Sequence, residues 1–315
     1  MGKNWRPRAD LATIRLRAEL LDNIRSFMKE EGVLEVETPI LSPASIPDPN
    51  IHSLQTSLSE KTSKRYLGTS PEFYMKRLLA AGSGPIFQIS RVFRDDATSR
   101  LHQPEFSMLE WYMPGYDHHN LMQQLSTLLI SIGLSKPVKL SYEAAFVSEL
   151  GLNPHTADVS ELRELASKKG LYEAPAERSV LLEFLFSHTV SKKLGNEQAV
   201  LLVEYPVCQA ALARISSDEM PTAERFELFI SGIEIANGFH ELTDANEQRD
   251  RFVMENTRRE SMNLAQVPVD DNFLAALESG IPACAGVAVG LDRLLMILAN
   301  KNRIEDLMTF PVELA

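Results

Sequence analysis

Cysteine is nearly absent: Cys208 and Cys284 are the only two in 315 residues. Two such residues make neither a disulfide framework nor a zinc spacing. The chain also lacks a signal-peptide pattern and any apolar run long enough for a membrane helix, so no membrane is expected and the cytoplasm is the default. Met1-Gly2 has no downstream Ser/Thr of an acylation signal. Positive charge is scarce as well, with 32 Lys+Arg against 43 Asp+Glu and a net charge of −11. Chains that grip nucleic-acid phosphates usually carry a basic surface, so this balance weighs weakly against RNA as substrate. No internal repeat or low-complexity tract is present.

What the sequence does hold is concentrated in a few segments. Gly286-Val287-Ala288-Val289-Gly290-Leu291-Asp292-Arg293-Leu294 reads as a strand running into an apolar helix. Small residues at 286, 288 and 290 strip one strand face of bulk, so a flat ligand can lie on the backbone. Arg293 in the first helical turn opposes the helix dipole, unless it shares an anion with the free N–H groups there. A buried strand–helix corner with a surface arginine is the alternative.

Phe87 to Asp96 and Pro104 to Tyr112 read as two strands around a charged loop. Strand periodicity puts Phe106, Met108, Glu110 and Tyr112 on one face. An apolar face ending in a carboxylate and a phenol suits a cation with an aliphatic stem. Arg94 closes the first strand, where its guanidinium can grip a phosphate with two hydrogen bonds. Upstream, Leu16, Leu20, Ile24, Phe27 and Met28 form a helical stripe that Gly32 ends, and a short strand runs to Pro39. Ser70-Pro71-Glu72 reads as a helix start, with Ser70 capping and Pro71 in the first turn.

Arg225 to Asn237 reads as a hairpin turning at Ser231-Gly232. A two-residue loop pairs Ile230 with Ile233, Phe229 with Glu234 and Glu227 with Ala236. Glu227 and Glu234 then share a face roughly 7 Å apart as diagonal neighbours. Carboxylates so placed repel unless a cation sits between them, and their oxygens suit Mg2+. Glu241 has the opposite parity to Glu234, and a bulge at Asn237-Gly238 is the expected remedy if both face one site. Residues 1–15 read as a polar extension, 43–65 as a Pro/Ser/Thr-rich loop, about 117–200 as a mainly helical insertion, and 200–206 as a core strand.

In this order the helix–strand unit, the two-strand segment and the Gly286 segment resemble motifs 1, 2 and 3 of the class II aminoacyl-tRNA synthetases. Ser70 to Leu78, Pro104-Glu105-Phe106 and Asn237-Gly238-Phe239-His240-Glu241-Leu242 are similar to stretches of the lysyl branch. The resemblance covers about Leu16 to Pro311. It implies an α+β fold: a single class II catalytic domain over 1–315, an antiparallel sheet flanked by helices, pairing as a homodimer through motif 1. It also implies roles. Arg94 and Arg293 serve catalysis by holding the α- and γ-phosphates of ATP. Glu227 and Glu234 hold Mg2+. Phe106 stacks on adenine, and Asp95, Asp96, Gln103, Glu234, Ile235 and Gly290 complete the ATP site. Ser70, Pro71, Glu72, Glu110, Tyr112, Asn237, Glu241 and Ala288 receive a lysine-type amino acid.

Lysyl-tRNA synthetases carry an N-terminal anticodon-reading barrel, for which the residues before motif 1 are too few. The short, barrel-less members of the branch attach lysine or β-lysine to a lysine of translation elongation factor P. The implied function is therefore ATP-dependent ligation of (R)-β-lysine onto that protein. A truncated lysyl-tRNA synthetase and a non-catalytic lysine-binding paralogue stay open. Departures fall at Asp96, where motif 2 usually has Glu; at Leu101 and Gln103, for the usual Arg and Asn; and at Ala288, for the central Gly of motif 3. The Ala288 methyl intrudes on the floor of the amino acid site, so the bound substrate is expected to be displaced or reshaped.

Overall fold

The first helix begins where the Asp10 carboxylate accepts from the Thr13 N–H (2.7 Å), and it ends just before Gly32, which takes a left-handed φ of +70°. It belongs to a computed structural model that describes residues 5–59, 64–172 and 177–315. Residues 1–4, 60–63 and 173–176 fall within the extension, the polar loop and the helical stretch read from the sequence, and lie outside the described residues. Along the chain the strands are β1 Leu34–Glu35, β2 Leu41–Ser42, β3 Gln55–Ser57, β4 Lys64–Leu67, β5 Ile86–Phe93, β6 Glu105–Pro114, β7 Val138–Ser141, β8 Val200–Tyr205, β9 Ala223–Ile230, β10 Ile233–His240 and β11 Cys284–Gly290. The α-helices are α1 Leu11–Glu30, α2 Glu72–Ala80, α3 His118–Ser131, α4 Tyr142–Leu150, α5 Val159–Lys168, α6 Arg178–Leu185, α7 Ala245–Ser261, α8 Asp271–Glu278 and α9 Leu291–Leu298.

The chain forms two units. The first comprises Met1–Gly115, Thr243–Cys284 and Ala288–Ala315. In it β1 runs parallel to β5, β5 pairs antiparallel with β6 from Ile86↔Tyr112 to Phe93↔Glu105, and β11 follows β6. Paired residues share a face, so Gln88, Ser90 and Val92 lie with Glu110, Met108 and Phe106. The helical stripe of α1 is buried at Leu20, Ile24, Phe27 and Met28, and α1 packs on α9. The stripe therefore faces its own core rather than a free surface. The apolar side chains left exposed from α1 to β2 are Leu11, Leu34, Ile40 and Leu41. The stretch read as loop contributes β3 and the start of β4 to a small sheet in the order β2-β4-β3. Its strands are too short and polar for a period-2 signal to show.

The second unit comprises Tyr116–Leu242 and Ala285–Val287. Strand β9 pairs antiparallel with β8 and β10, and β7 lies parallel to β8. The helices expected over about 117–200 are here, together with β7 among them. An aromatic core of Tyr142, Phe146, Phe186, Tyr205 and Phe229 holds them, with ring centroids 4.9 to 5.8 Å apart for the closest pairs. The β9–β10 turn has positive φ at both Ser231 (53°) and Gly232 (72°), the two-residue hairpin geometry that matches strand twist.

The hairpin register departs from simple alternation. Ile230↔Ile233 and Phe229↔Glu234 pair as expected, but the register shifts between Glu234 and Ala236. Asn237, not Ala236, then lies opposite Glu227. The bulge therefore falls at Ile235 rather than at Asn237-Gly238. One extra residue turns the strand over, so Glu234, Asn237 and Glu241 come to one face with Arg225 and Glu227. Gly238 serves close packing instead, since a Cβ there would sit 2.3 Å from the Phe226 ring. Among the described residues, no helix is long and apolar enough to cross a membrane.

Candidate active site

In the first unit, five sequence-predicted residues, Ser70, Pro71, Glu72, Glu110 and Tyr112, meet at the start of α2. Pro71 takes the cap position, and Ser70 caps from one residue further out, its hydroxyl accepting from the Glu72 N–H (3.0 Å). The same hydroxyl donates to Glu110 Oε2 (2.8 Å), and the Tyr112 hydroxyl donates to Glu110 Oε1 (2.5 Å). Glu110 is therefore fixed at both oxygens, on the strand face the alternation predicted. Burial, and then the nearby Glu72 charge, push its carboxyl up to about 7. A buried carboxylate held this way gains most from a cation that arrives with its own apolar stem.

Sequence reading missed the internal cation of this cluster. Lys76 is fully buried, donates to Glu72 Oε1 (2.6 Å) and sits 5.8 Å from the Phe273 ring centre. Phe73 stacks on Phe273 at 4.5 Å, with Phe252 beside it, and this aromatic wall joins α2 to α7 and α8. The signal was present: Glu72 and Lys76 are four apart on a helix, the spacing at which side chains meet.

Arg94 lies with its guanidinium carbon 5.3 Å from the Phe106 ring centre, so the two share a face. Its N–H donates to Pro104 O (2.9 Å), which keeps the loop mouth narrow. Asp95 is exposed, its N–H tied to His52 O (2.7 Å), and Asp96 is half-buried. Gln103 is buried, and its amide oxygen accepts from the Val312 N–H (3.1 Å), anchoring the C-terminal segment. Arg293 meets His102 across 2.8 Å, a contact the sequence did not suggest. Ala288 and Gly290 are half-buried while Val287 and Val289 are buried, so the small-residue face of β11 is the more open one. Asp292, next to Arg293, is buried and takes both the Arg17 guanidinium and the Ser107 N–H (2.6 Å). It ties α1, β6 and α9 together just where Arg293 projects.

In the second unit, Glu227 is buried, and burial pushes its carboxyl up to about 7, with Arg225 pulling it down and Glu234 pushing it further up. The Arg225 guanidinium bonds Glu227, donates to Asn237 Oδ1 (3.2 Å) and Gln209 O (2.7 Å), and lies 4.6 Å over the Tyr205 ring. Arg225 escaped the sequence reading, although it is two residues from Glu227 on one strand and so shares its face. It also alters the electrostatic reasoning, because Glu227 already has a counter-charge. Glu234 adds a second carboxylate on that face, and two such oxygens still fit a hard divalent ion. Glu241 is buried beside Ala213, and Ile235 sits at the bulge.

Comparison with known proteins identifies the family. The pattern of the tRNA synthetases class II (D, K and N) matches residues 4–314. A protein of Haemophilus ducreyi is 46% identical over 99% of this chain and 97% of its own length. One of Pasteurella multocida is 45% identical over 99% and 98%, and one of Vibrio vulnificus 42% identical over the whole of both. Each of the three is named elongation factor P–(R)-β-lysine ligase.

Proposed function

The chain belongs to the class II tRNA synthetases (D, K and N), and on that premise we propose that it ligates (R)-β-lysine to translation elongation factor P. The amino acid carboxylate attacks the α-phosphate of ATP, giving an aminoacyl-adenylate and pyrophosphate. A lysine amine of the factor then attacks the acyl carbon, and AMP leaves. Adenylate formation needs charge stabilisation more than proton transfer. Arg94 and Arg293 hold the phosphates, Phe106 faces the adenine, and Asp95, Asp96, Gln103, Ile235 and Gly290 line the nucleotide. Glu227 and Glu234 would hold Mg2+, which when bound supplies positive charge to the phosphates. Ser70, Pro71, Glu72, Glu110, Tyr112, Asn237, Glu241 and Ala288 receive the amino acid. The protein works as a homodimer, in the cytoplasm.

One observation carries the substrate class: Glu110 is buried, doubly hydrogen-bonded, and backed by Glu72 and the Tyr112 hydroxyl. Such a group recognises an ammonium and rejects an apolar side chain of equal length. The names of the relatives supply the β-isomer and the protein acceptor. The test is mass spectrometry of elongation factor P after incubation with this protein, ATP, tRNA and either lysine isomer. Addition of one β-lysyl mass is the expected result. An unmodified factor beside charged lysyl-tRNA would overturn the assignment.

A further inference from the structure

Behind the hairpin that carries Glu227 lies a second constellation that the ligase reaction does not use. His118, Glu224 and His240 each offer a ligand atom, and the three atoms lie within 4.8 Å of one another. We propose that these three residues bind a single divalent zinc-type ion and thereby clamp the start of α3 to the open end of the β9–β10 hairpin.

The second unit builds this cluster by itself. Glu224 precedes Arg225 on β9, so alternation sends its side chain to the face away from Arg225 and Glu227. His240, the last residue of β10, reaches it: Nδ1 meets Glu224 Oε2 at 2.6 Å. The strands are splayed here because the Arg214 backbone enters between them. Its N–H donates to His240 O and its C=O accepts from the Glu224 N–H, both at 2.9 Å. His118, the first residue of α3, closes the third side, its ring 6.4 Å from that of His240 and its Nδ1 buried without a hydrogen-bond partner in the structure. All three residues are half-buried, so an ion can enter from water yet lose part of its hydration.

Two imidazoles and one carboxylate form a known three-ligand zinc set, with a fourth position left for water. Donors about 2.1 Å from zinc stand about 3.4 Å apart at tetrahedral angles. Glu224 and His240 must therefore part slightly, and the widest separation must close by a little over an ångström, both within reach of side-chain rotation. The imidazole of His240 now shares its Nδ1 proton with Glu224 and receives Arg214 Nη1 at Nε2 (3.4 Å). When the ion takes Nδ1, that proton moves to Nε2 and the exposed Arg214 side chain turns out to water. No oxidant or further reactant is needed.

The test uses the full chain, stripped with chelator and titrated with Zn2+, and with Co2+ as a visible probe. One ion per chain is expected, with the strong visible absorption of four- or five-coordinate Co2+ and a rise in melting temperature at saturating Zn2+. His118→Ala is expected to weaken binding at least tenfold and abolish the thermal shift, while His119→Ala retains both. ATP–pyrophosphate exchange by His118→Ala without added zinc should match the parent, which separates this site from the proposed ligase chemistry. Failure to bind Zn2+ at micromolar concentration, or stoichiometric binding that survives His118→Ala, would overturn the proposal.

Discussion

Glu110 shows how burial at one residue becomes pH dependence. Its carboxyl titrates at about 7, above the usual carboxylate range, because burial and the Glu72 charge disfavour ionisation. Between that ordinary range and about 7, the folded chain keeps a proton that the unfolded chain has released, so this group makes stability fall as pH rises through the window. An arriving ammonium reverses the preference, since it favours the ionised form and expels the proton. Affinity for a lysine-type amino acid should therefore fall by up to about tenfold per pH unit below about 7, and level off above it. Calorimetry in buffers of different ionisation heat reads both affinity and proton release; an affinity flat from about pH 6 to 8 would remove Glu110 from the substrate contact. Lys76 gives the complementary prediction. Lys76→Met leaves Glu72 without its buried partner and should cost about 3–5 kcal/mol in urea unfolding. Lys76→Met combined with Glu72→Gln should recover most of that loss without recovering lysine activation.

At the level of elements, the β9–β10 hairpin carries the clearest consequences. Its existence, its turn and its first two pairs were legible, because positive-φ residues at Ser231-Gly232 and flanking apolar alternation are local signals. The same holds for the face shared by Glu110 and Tyr112 and for the helix start at Ser70. That a bulge was needed was legible in the opposite parity of Glu234 and Glu241, but its place at Ile235 was not, since nothing in the residue types there marks the slip. Nor were Asp292 and His102, whose partners are 275 and 191 residues away along the chain. Two tests follow. Gly238→Ala would drive a methyl into the Phe226 ring and should destabilise by about 1–3 kcal/mol, with partial relief from an added Phe226→Leu. Glu234→Gln removes one of the two carboxylates available to a metal ion and should abolish ATP–pyrophosphate exchange while leaving the urea midpoint close to the parent value. Retained exchange in that variant would free Glu234 from the proposed metal role.

At the scale of the whole molecule, exposed apolar side chains bear on the proposed homodimer. The class II resemblance implies a homodimer through the α1–β1 segment, but the apolar stripe of α1 is already spent inside its own unit. The segment leaves Leu11 at its start, 71% exposed, and Leu34, 57% exposed, in water, and Ile40 and Leu41 just after it are 41% and 36% exposed. Burying side chains of this kind is worth about 1.5–3 kcal/mol each, and a symmetric interface counts every one of them twice. A pairing surface that uses the strand-side residues rather than the buried stripe of α1 follows from these exposures. It predicts that the parent runs as a dimer in light scattering at micromolar concentration. Leu34→Glu together with Ile40→Glu should shift it to monomer, because charges placed in an apolar contact cannot be paired by their own symmetry mates. Substitution of the buried Ile24 on α1 by alanine should instead cost about 2–5 kcal/mol of folding stability and leave the oligomeric state of the folded fraction unchanged. A parent that is monomeric throughout, or a double variant that stays dimeric, would move the interface away from this segment.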